Sequence, residues 1–278
     1  SGWLKRLVPL LRDIAVGRYV AGTGLLHRLD PRTKLLSLVA LMVAALASRD
    51  VAPVALFTVF VALVALIGRL PLNILLRNLR SFAWLIGVTA LLHLFMTPGT
   101  TRWVVPHASL VVTDEGLSAA ILFSLRLASV VTAASMLTLS TTPIALTDGL
   151  ESLLKPFRRL GVPAHELAMM VSIALRFIPV LADEAERLQK AQMARGADFT
   201  GGPIRRARRL VPLLVPLFLS AFSRADRLAV AMEARGYRGG DGRTRFRPLQ
   251  MGRADAGAAI LVVLAVAGQI WLATQGQP

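Results

Sequence analysis

The sequence predicts an all-α polytopic membrane protein, and three observations support that fold class. Apolar residues make up 55% of the chain and charged residues only 17%, unlike the composition of a typical soluble domain. Long apolar runs recur along the chain, as in membrane helices. The formal net charge is nevertheless +16, and the basic residues are clustered between the runs. We expect about five transmembrane helices, with three long amphipathic helices between the fourth and the fifth.

The N-terminal segment, residues 3–30, is basic and weakly amphipathic, which suits a helix on the membrane surface. Asp30 and Pro31 then form a helix start signal, with Asp as the N-cap and Pro at the first position. The first candidate span follows at Pro31–Ser48. Its apolar part is short for a span that needs ~20 residues, so we expect the difference to be covered by snorkelling of Lys34 and Arg32 towards the interface and by thinning of the bilayer.

Four further spans are predicted from apolar runs. They are Val51–Ile67, Phe82–Thr97, Leu117–Leu139 and Ala256–Thr274. The segment from Gly68 to Ser81 is expected to be a loop, and the segment around Pro106 and His107 to be irregular. Arg126 lies within the fourth span, where a charge is costly. It either faces a neighbouring helix or partner subunit, or it snorkels.

The segment between the fourth and fifth spans predicts three helices. The first is an amphipathic helix over Pro143–Leu160, and the two longer ones cover Ala164–Arg195 and Pro203–Arg235. The apolar parts of the longer helices are too short to favour membrane spans. We therefore divide the chain into an N-terminal part (1–140), a coupling module (141–253) and a C-terminal membrane helix (254–278).

One stretch of the chain occurs twice, forty residues apart. Residues 186–196 read ERLQKAQMARG and residues 226–236 read DRLAVAMEARG. Six of the eleven columns are identical, and a seventh keeps its acidic charge. The identical pairs are Arg187 and Arg227, Leu188 and Leu228, Ala191 and Ala231, Ala194 and Ala234, Arg195 and Arg235, and Gly196 and Gly236.

Each copy predicts a helix that ends in a slim cationic tip. The two Arg and one Ala at spacing i, i+4, i+8 line one helix face. Glycine takes the left-handed conformation without a Cβ clash, so Gly196 and Gly236 are expected to stop the helices. The last Arg then lies where the helix dipole favours a cation. One such end could be an ordinary capped terminus, but two copies with a shared context favour a docking role.

These paired Ala-Arg-Gly ends resemble those of the T component (EcfT/CbiQ-like), the transmembrane coupling subunit of energy-coupling factor importers. The segment Leu26–Lys34, LHRLDPRTK, is similar to the one that precedes the first membrane helix in that family. The resemblance extends over nearly the whole chain. It implies a non-catalytic subunit of an ATP-driven importer of a vitamin or a transition-metal ion, in a prokaryotic cell membrane.

The same resemblance implies partners and residue roles. The two ends would dock on two ABC ATPase subunits, a homodimer or heterodimer that binds ATP and Mg²⁺, and the membrane helices would hold a substrate-binding S component. Substrate selectivity would belong to the S component. Arg195 and Arg235 would contact the ATPases, Ala194 and Ala234 would permit close approach, and Gly196 and Gly236 would end the helices. The supporting residues would be Arg187, Ala191, Arg227 and Ala231.

The distribution of charge predicts the topology. All but three of the 32 Lys and Arg residues fall in the N-terminal segment up to Lys34, in residues 68–81 or in residues 141–253. The positive-inside rule therefore places the N-terminus and the coupling module in the cytoplasm and the C-terminus outside. This arrangement accounts for the net charge without nucleic acid, and the basic run 205–209 is expected to meet anionic lipid headgroups of the bilayer.

Several functional classes find little support in the sequence. The absence of Cys, the scattered His and the lack of a phosphate-binding loop predict no catalytic residue, metal or cofactor in this chain. A stand-alone secondary transporter remains the alternative, although only Arg126 and His93 are ionisable residues near the midplane of a span. An embedded enzyme would need paired acids at membrane depth. The acidic residues read instead as solvated faces and helix-start charges: Asp148, Glu151, Asp183, Glu184 and Glu186.

Overall fold

The computed structural model describes residues 19–20, 22, 24–99, 102–104, 111–197, 203–239 and 249–275, with the backbone alone for 102–104, 111, 203–210, 273 and 275. The predicted surface helix before residue 19 lies outside this description, as do the side chains of the basic run 205–209. The chain divides into two compact units. We call residues 19–142 and 249–278 the bundle; the other unit, residues 1–18 and 143–248, is the arm unit.

The elements of the described residues are almost entirely helical, which confirms the all-α class. In chain order they are α1 (Leu25–Arg28), α2 (Pro31–Ala47), α3 (Val51–Ile67), α4 (Leu72–Met96), β1 (Arg102–Val104), β2 (Val111–Thr113), α5 (Asp114–Ser140), α6 (Pro143–Leu154), a 3-10 helix (Lys155–Leu160), α7 (Ala164–Ala194), α8 (Pro203–Ala234) and α9 (Arg253–Gln275).

Helix starts follow from local capping chemistry. The side chain of Asp30 accepts a hydrogen bond from the Arg32 amide at 2.9 Å, so the predicted start of α2 is confirmed. Thr113 Oγ1 caps α5 in the same way, accepting from the Gly116 amide at 2.9 Å.

The bundle core lies where α2, α3 and α5 meet. Small residues such as Ala44, Ala65 and Ala133 bring the helices close, and Phe57 and Leu139 fill the space between them. The outer faces carry large apolar side chains, and Trp84 on α4 is 69% exposed. An apolar surface around a small-residue core is the arrangement that a lipid environment favours.

Four described helices are long and apolar enough to cross a membrane: α4, α5, α7 and residues 253–272 of α9. The chain is therefore a multi-pass membrane protein. The count differs from the five predicted spans, because α3 is apolar but has only 17 residues and α2 also has 17. Helix α7, for which the sequence favoured no span, has 31 residues and meets the same criteria of length and composition.

Two sequence expectations about loops and helix limits are corrected. The supposed loop from Gly68 to Ser81 is largely the first part of α4, where Asn78 is buried and donates to Ser135 Oγ at 3.2 Å. The segment around Pro106 and His107, expected to be irregular, lies outside the described residues, and the strands on either side of it, β1 and β2, pair antiparallel. The helix predicted over Pro143–Leu160 changes to 3-10 geometry at Lys155, because Pro156 lacks an amide hydrogen and disfavours α geometry before it.

Lys34 does not snorkel, contrary to the expectation. Lys34 is only 8% exposed. Its Nζ donates to the Ser140 carbonyl oxygen at 3.0 Å and to Thr141 Oγ1 at 3.1 Å. Nearby, the carboxylate of Asp255 accepts from the amides of Asp30 at 2.7 Å and Gly252 at 2.8 Å. The starts of α2 and α9 and the end of α5 are thus joined by buried polar contacts.

Candidate functional site

The two copies of the repeated sequence fold into the same helix end. Helix α7 stops at Ala194 and α8 at Ala234, so each Arg of Ala-Arg-Gly is the residue that follows the last helical one. Gly196 has φ +86° and Gly236 has φ +73°, the left-handed conformation that the sequence predicts. We call each Ala-Arg-Gly end a tip.

The hydrogen bonds at the two tips also match. Gly196 N donates to Met193 O at 3.0 Å and Ala197 N donates to Gln192 O at 3.0 Å. At the second tip the corresponding bonds, from Gly236 to Glu233 and from Tyr237 to Met232, are 2.8 and 3.0 Å long. This paired pattern is the Schellman motif, which satisfies carbonyl groups that a helix otherwise leaves open. A duplicated sequence has therefore produced a duplicated local structure.

Glycine is required at the tips for its backbone angle. A Cβ added at Gly196 or Gly236 would meet no atom within 4 Å, so space is not the constraint. The positive φ is the constraint, because an L side chain costs about 1–2 kcal/mol in that conformation.

The predicted tip residues are all accessible. The exposed set comprises Ala194, Arg195, Gly196, Ala234, Arg235 and Gly236, together with the supporting residues Arg187, Ala191, Arg227 and Ala231. Because the supporting residues share a helix face with the tip arginines, each arm presents a cationic stripe that ends in a cap. Such a surface can bind an acceptor through charge-assisted hydrogen bonds.

An ion pair that the sequence interpretation missed joins the two long arms. Arg224 Nη2 donates to Glu184 Oε2 at 3.3 Å, which links α8 to α7. Both residues stand two positions before the repeated stretch, so the arms meet at equivalent points of the repeat. The expectation that Glu184 belongs to a solvated face is therefore corrected. Glu184 and Arg224 are separated by forty residues, the same offset as the two repeats, and this spacing was the signal in the sequence.

A second acidic residue of the arm unit also has a structural partner. Glu151 of α6 contacts His165 Nδ1 of α7 at 3.0 Å, and both side chains are partly buried. The expectation that Glu151 is merely solvated is corrected, because the contact joins α6 to the base of the first arm.

An apolar groove of about 420 Å³ runs between the two long arms. Its α7 wall includes Ile173 and Phe177, and its α8 wall includes Leu228 and Met232. Tyr237, which directly follows the second tip, closes one end. Apolar side chains of both arms therefore face the same groove, which Arg224 of the Glu184–Arg224 pair also lines.

Arg126 lies against a neighbouring helix in the bundle. Its Nε donates to Ala45 O at 2.9 Å and its Nη2 donates to Ser48 O at 2.7 Å, at the C-terminal end of α2. Its guanidinium carbon also lies 4.9 Å from the centre of the Phe123 ring, on which His93 stacks at 4.0 Å. Arg126 and His93, the two ionisable residues on which the secondary-transporter alternative depends, therefore both pack against the Phe123 ring.

Comparison with known proteins gives a consistent result. Residues 22–246, which include both tips, match the family model CbiQ, described as cobalt transport protein. The chain is 51% identical over 261 residues to the energy-coupling factor transporter transmembrane protein EcfT of Thermosediminibacter oceani, covering 94% of this chain and 98% of that relative. It is 47% identical to EcfT of Acidaminococcus fermentans (89% and 92% covered) and 45% identical to EcfT of Bacillus subtilis (92% and 97% covered).

Proposed function

Because the chain belongs to the CbiQ/EcfT family of membrane transport proteins, we propose that it couples two ABC ATPase subunits to a substrate-binding S component. It is a transmembrane component of an energy-coupling factor transporter. In this role the chain performs no chemistry. ATP and Mg²⁺ bind to the partner ATPases, and the substrate, a vitamin or a transition-metal ion, binds to the S component.

The observation that carries the proposal is the pair of equal, exposed tips. Two surfaces with the same sequence, cap geometry and charge suit two equivalent acceptors, as a homodimer or a pseudo-symmetric heterodimer provides. Arginine suits this contact because its planar guanidinium forms several hydrogen bonds with carboxylates or open carbonyl groups. The adjacent Ala194 and Ala234 leave room for an acceptor groove to close around each tip.

The arms supply the mechanical link. Helix α7 has 31 residues and α8 has 32, so each can extend over ~45 Å at 1.5 Å per residue. The Glu184–Arg224 pair joins the arms, so movement of one tip is transmitted to the other arm. In this proposal, closure of the ATPase pair moves the arms, and the bundle passes that movement to the S component.

The proposed topology follows the distribution of Lys and Arg. In this topology α2, α3, α4, α5 and α9 are the five spans and α7 is a cytoplasmic-side arm. The N-terminus and the arm unit then lie in the cytoplasm of a prokaryotic cell, and the C-terminus lies outside. The tips are then on the side of the membrane where ATP is available.

Charge reversal at both tips tests the docking role. The double variant Arg195→Glu/Arg235→Glu is expected to insert in the membrane but to lose co-purification with the ATPase subunits by at least about tenfold, because two charge-assisted contacts become repulsive. Lys155→Glu/Arg159→Glu is the matched control, since both residues are exposed in the 3-10 helix of the same unit. Full association and transport by the tip variant would refute the docking role.

A further inference from the structure

An apolar cavity of about 360 Å³ lies inside the bundle. The cavity lies at the end of the bundle where α2 and α9 begin and where α3 and α5 finish. The helical residues that line it fall within 34–41, 60–68, 133–140 and 254–262. Eight or nine residues of helix correspond to ~12 Å of depth. One leaflet contributes about half of the ~30 Å hydrocarbon core, so the cavity has nearly the depth of one leaflet.

The chemistry of the walls favours hydrocarbon over water. Leu38, Met136 and Val262 are typical of the lining, and the charged group of Lys34 is already bonded to Ser140 and Thr141. The other polar side chains of the lining are those of Ser37 and Ser140, and a cavity with so few polar groups has little to hold water in place. The cavity also opens to the surroundings, because the lining residues Leu25 and Ile67 are 61% and 64% exposed.

Arginines from three separate segments surround the same end of the bundle. Arg28 directly precedes the lining residue Leu29, Arg69 follows Gly68, and Arg253 precedes Ala254. All three arginines are exposed. Guanidinium groups at the headgroup level, next to an apolar cavity, are complementary to a phosphate joined to an acyl chain.

We infer that this cavity is a binding site for one phospholipid with an anionic headgroup. One acyl chain fills the cavity between α2, α3, α5 and α9, and the headgroup phosphate binds to Arg28, Arg69 and Arg253. The lipid then stabilises the bundle end that also holds the Lys34 and Asp255 contacts. This inference is independent of the proposed coupling function, because it concerns the bundle alone.

Native mass spectrometry of the full chain tests the site. The chain is reconstituted in nanodiscs with equal amounts of phosphatidylglycerol and phosphatidylcholine and then released gently. We expect one retained phospholipid per chain, with phosphatidylglycerol favoured at least about fivefold. A chain that retains no more lipid than the cavity-filling variant described next would overturn the inference.

The cavity-filling variant is Gly257→Leu. Gly257 lines the cavity, and a Cβ added there meets no atom within 4 Å, so the new side chain can extend into the cavity. Retained lipid is expected to fall at least about tenfold, because a leucine displaces several methylene groups. Gly268→Leu is the matched control: it lies on the same helix with an equally open Cβ position, outside the cavity, and should retain lipid as the unchanged chain does.

A rim variant tests the headgroup site separately. In Arg28→Gln/Arg69→Gln/Arg253→Gln the lipid should remain, while the preference for phosphatidylglycerol falls to near parity. Arg49→Gln, an exposed arginine at the other end of α3, should keep the preference. All three rim residues are on the surface, so the rim variant should fold. It therefore tests the inference even if Gly257→Leu fails to fold. A preference that survives in the rim variant would overturn the inference.

Discussion

Lys34 Nζ donates to the carbonyl oxygen of Ser140 at 3.0 Å, which ties the start of α2 to the last residue of α5. The Ser140 carbonyl is one of the groups that a helix end leaves without an intrahelical donor, and a cation is favourable there. Two residues later, after Thr142, the chain passes from the bundle to the arm unit. The contact therefore holds the end of α5 just before the chain leaves the bundle.

Removing that cation should destabilise the bundle. Lys34→Met keeps the aliphatic stem but leaves the buried Ser140 carbonyl and the Thr141 hydroxyl without their donor, which is expected to cost about 2–3 kcal/mol. The free energy of unfolding in mixed micelles measures the loss. Lys155→Met, at an exposed position, should change it by less than about 0.5 kcal/mol. Equal effects at the two positions would contradict a structural role for Lys34.

The glycines of the tips should tolerate substitution poorly despite the free space around them. Gly196→Ala with Gly236→Ala is expected to cost about 1–2 kcal/mol at each site, because alanine is strained at positive φ. Hydrogen exchange should then quicken in the last turns of α7 and α8, and ATPase association should weaken. The comparison variant is Gly87→Ala in α4, which also has open space but a helical backbone and should be neutral or slightly stabilising. Unchanged exchange at the tips would show that the cap geometry is not needed.

The Glu184–Arg224 pair should govern the spacing of the tips. The pair is partly exposed, at 25% and 32%, so its coupling energy is expected to be only about 0.2–1 kcal/mol. Spin labels at residues 197 and 238 can report the distance between the tips, since the sequence contains no Cys. Glu184→Arg alone should broaden the distance distribution, and adding Arg224→Glu should restore it.

The matched control for that experiment is a pair within one helix. Glu186 and Lys190 are joined at 2.7 Å within α7, so this pair does not bridge the two arms. Glu186→Arg should leave the distance between the labels unchanged. Broadening of the same size in both variants would show that any charge change on α7 disturbs the tips.

Sequence reasoning succeeded where a short-range rule decides the structure. The start of α2 at Asp30 and the two glycine stops are of this kind, because capping depends on a few adjacent residues. It failed where a polar residue finds a partner far along the chain. Asn78 was expected in a loop, yet it is helical and donates to Ser135. Lys34 was expected to snorkel, yet it donates to Ser140, which is 106 residues away in the sequence. Such contacts depend on tertiary packing, which no local pattern encodes.

The proposed topology has a direct labelling test. Gln277 lies outside the described residues, and a cysteine placed there is the only thiol of the chain. The distribution of basic residues predicts labelling of Gln277→Cys by an impermeant reagent from outside intact cells. Ala197→Cys, next to the first tip, should react only after the membrane is opened. The reverse pattern would overturn the topology.

Cross-linking from both tips tests the central claim most directly. Cysteines introduced at residues 197 and 238 lie just beyond the two caps, and a short bifunctional reagent can join each to whatever binds there. The account predicts that each single variant cross-links to one ATPase subunit, and that the double variant yields one chain joined to two. Cross-linking at one tip only, or to the S component instead of the ATPases at both, would contradict it.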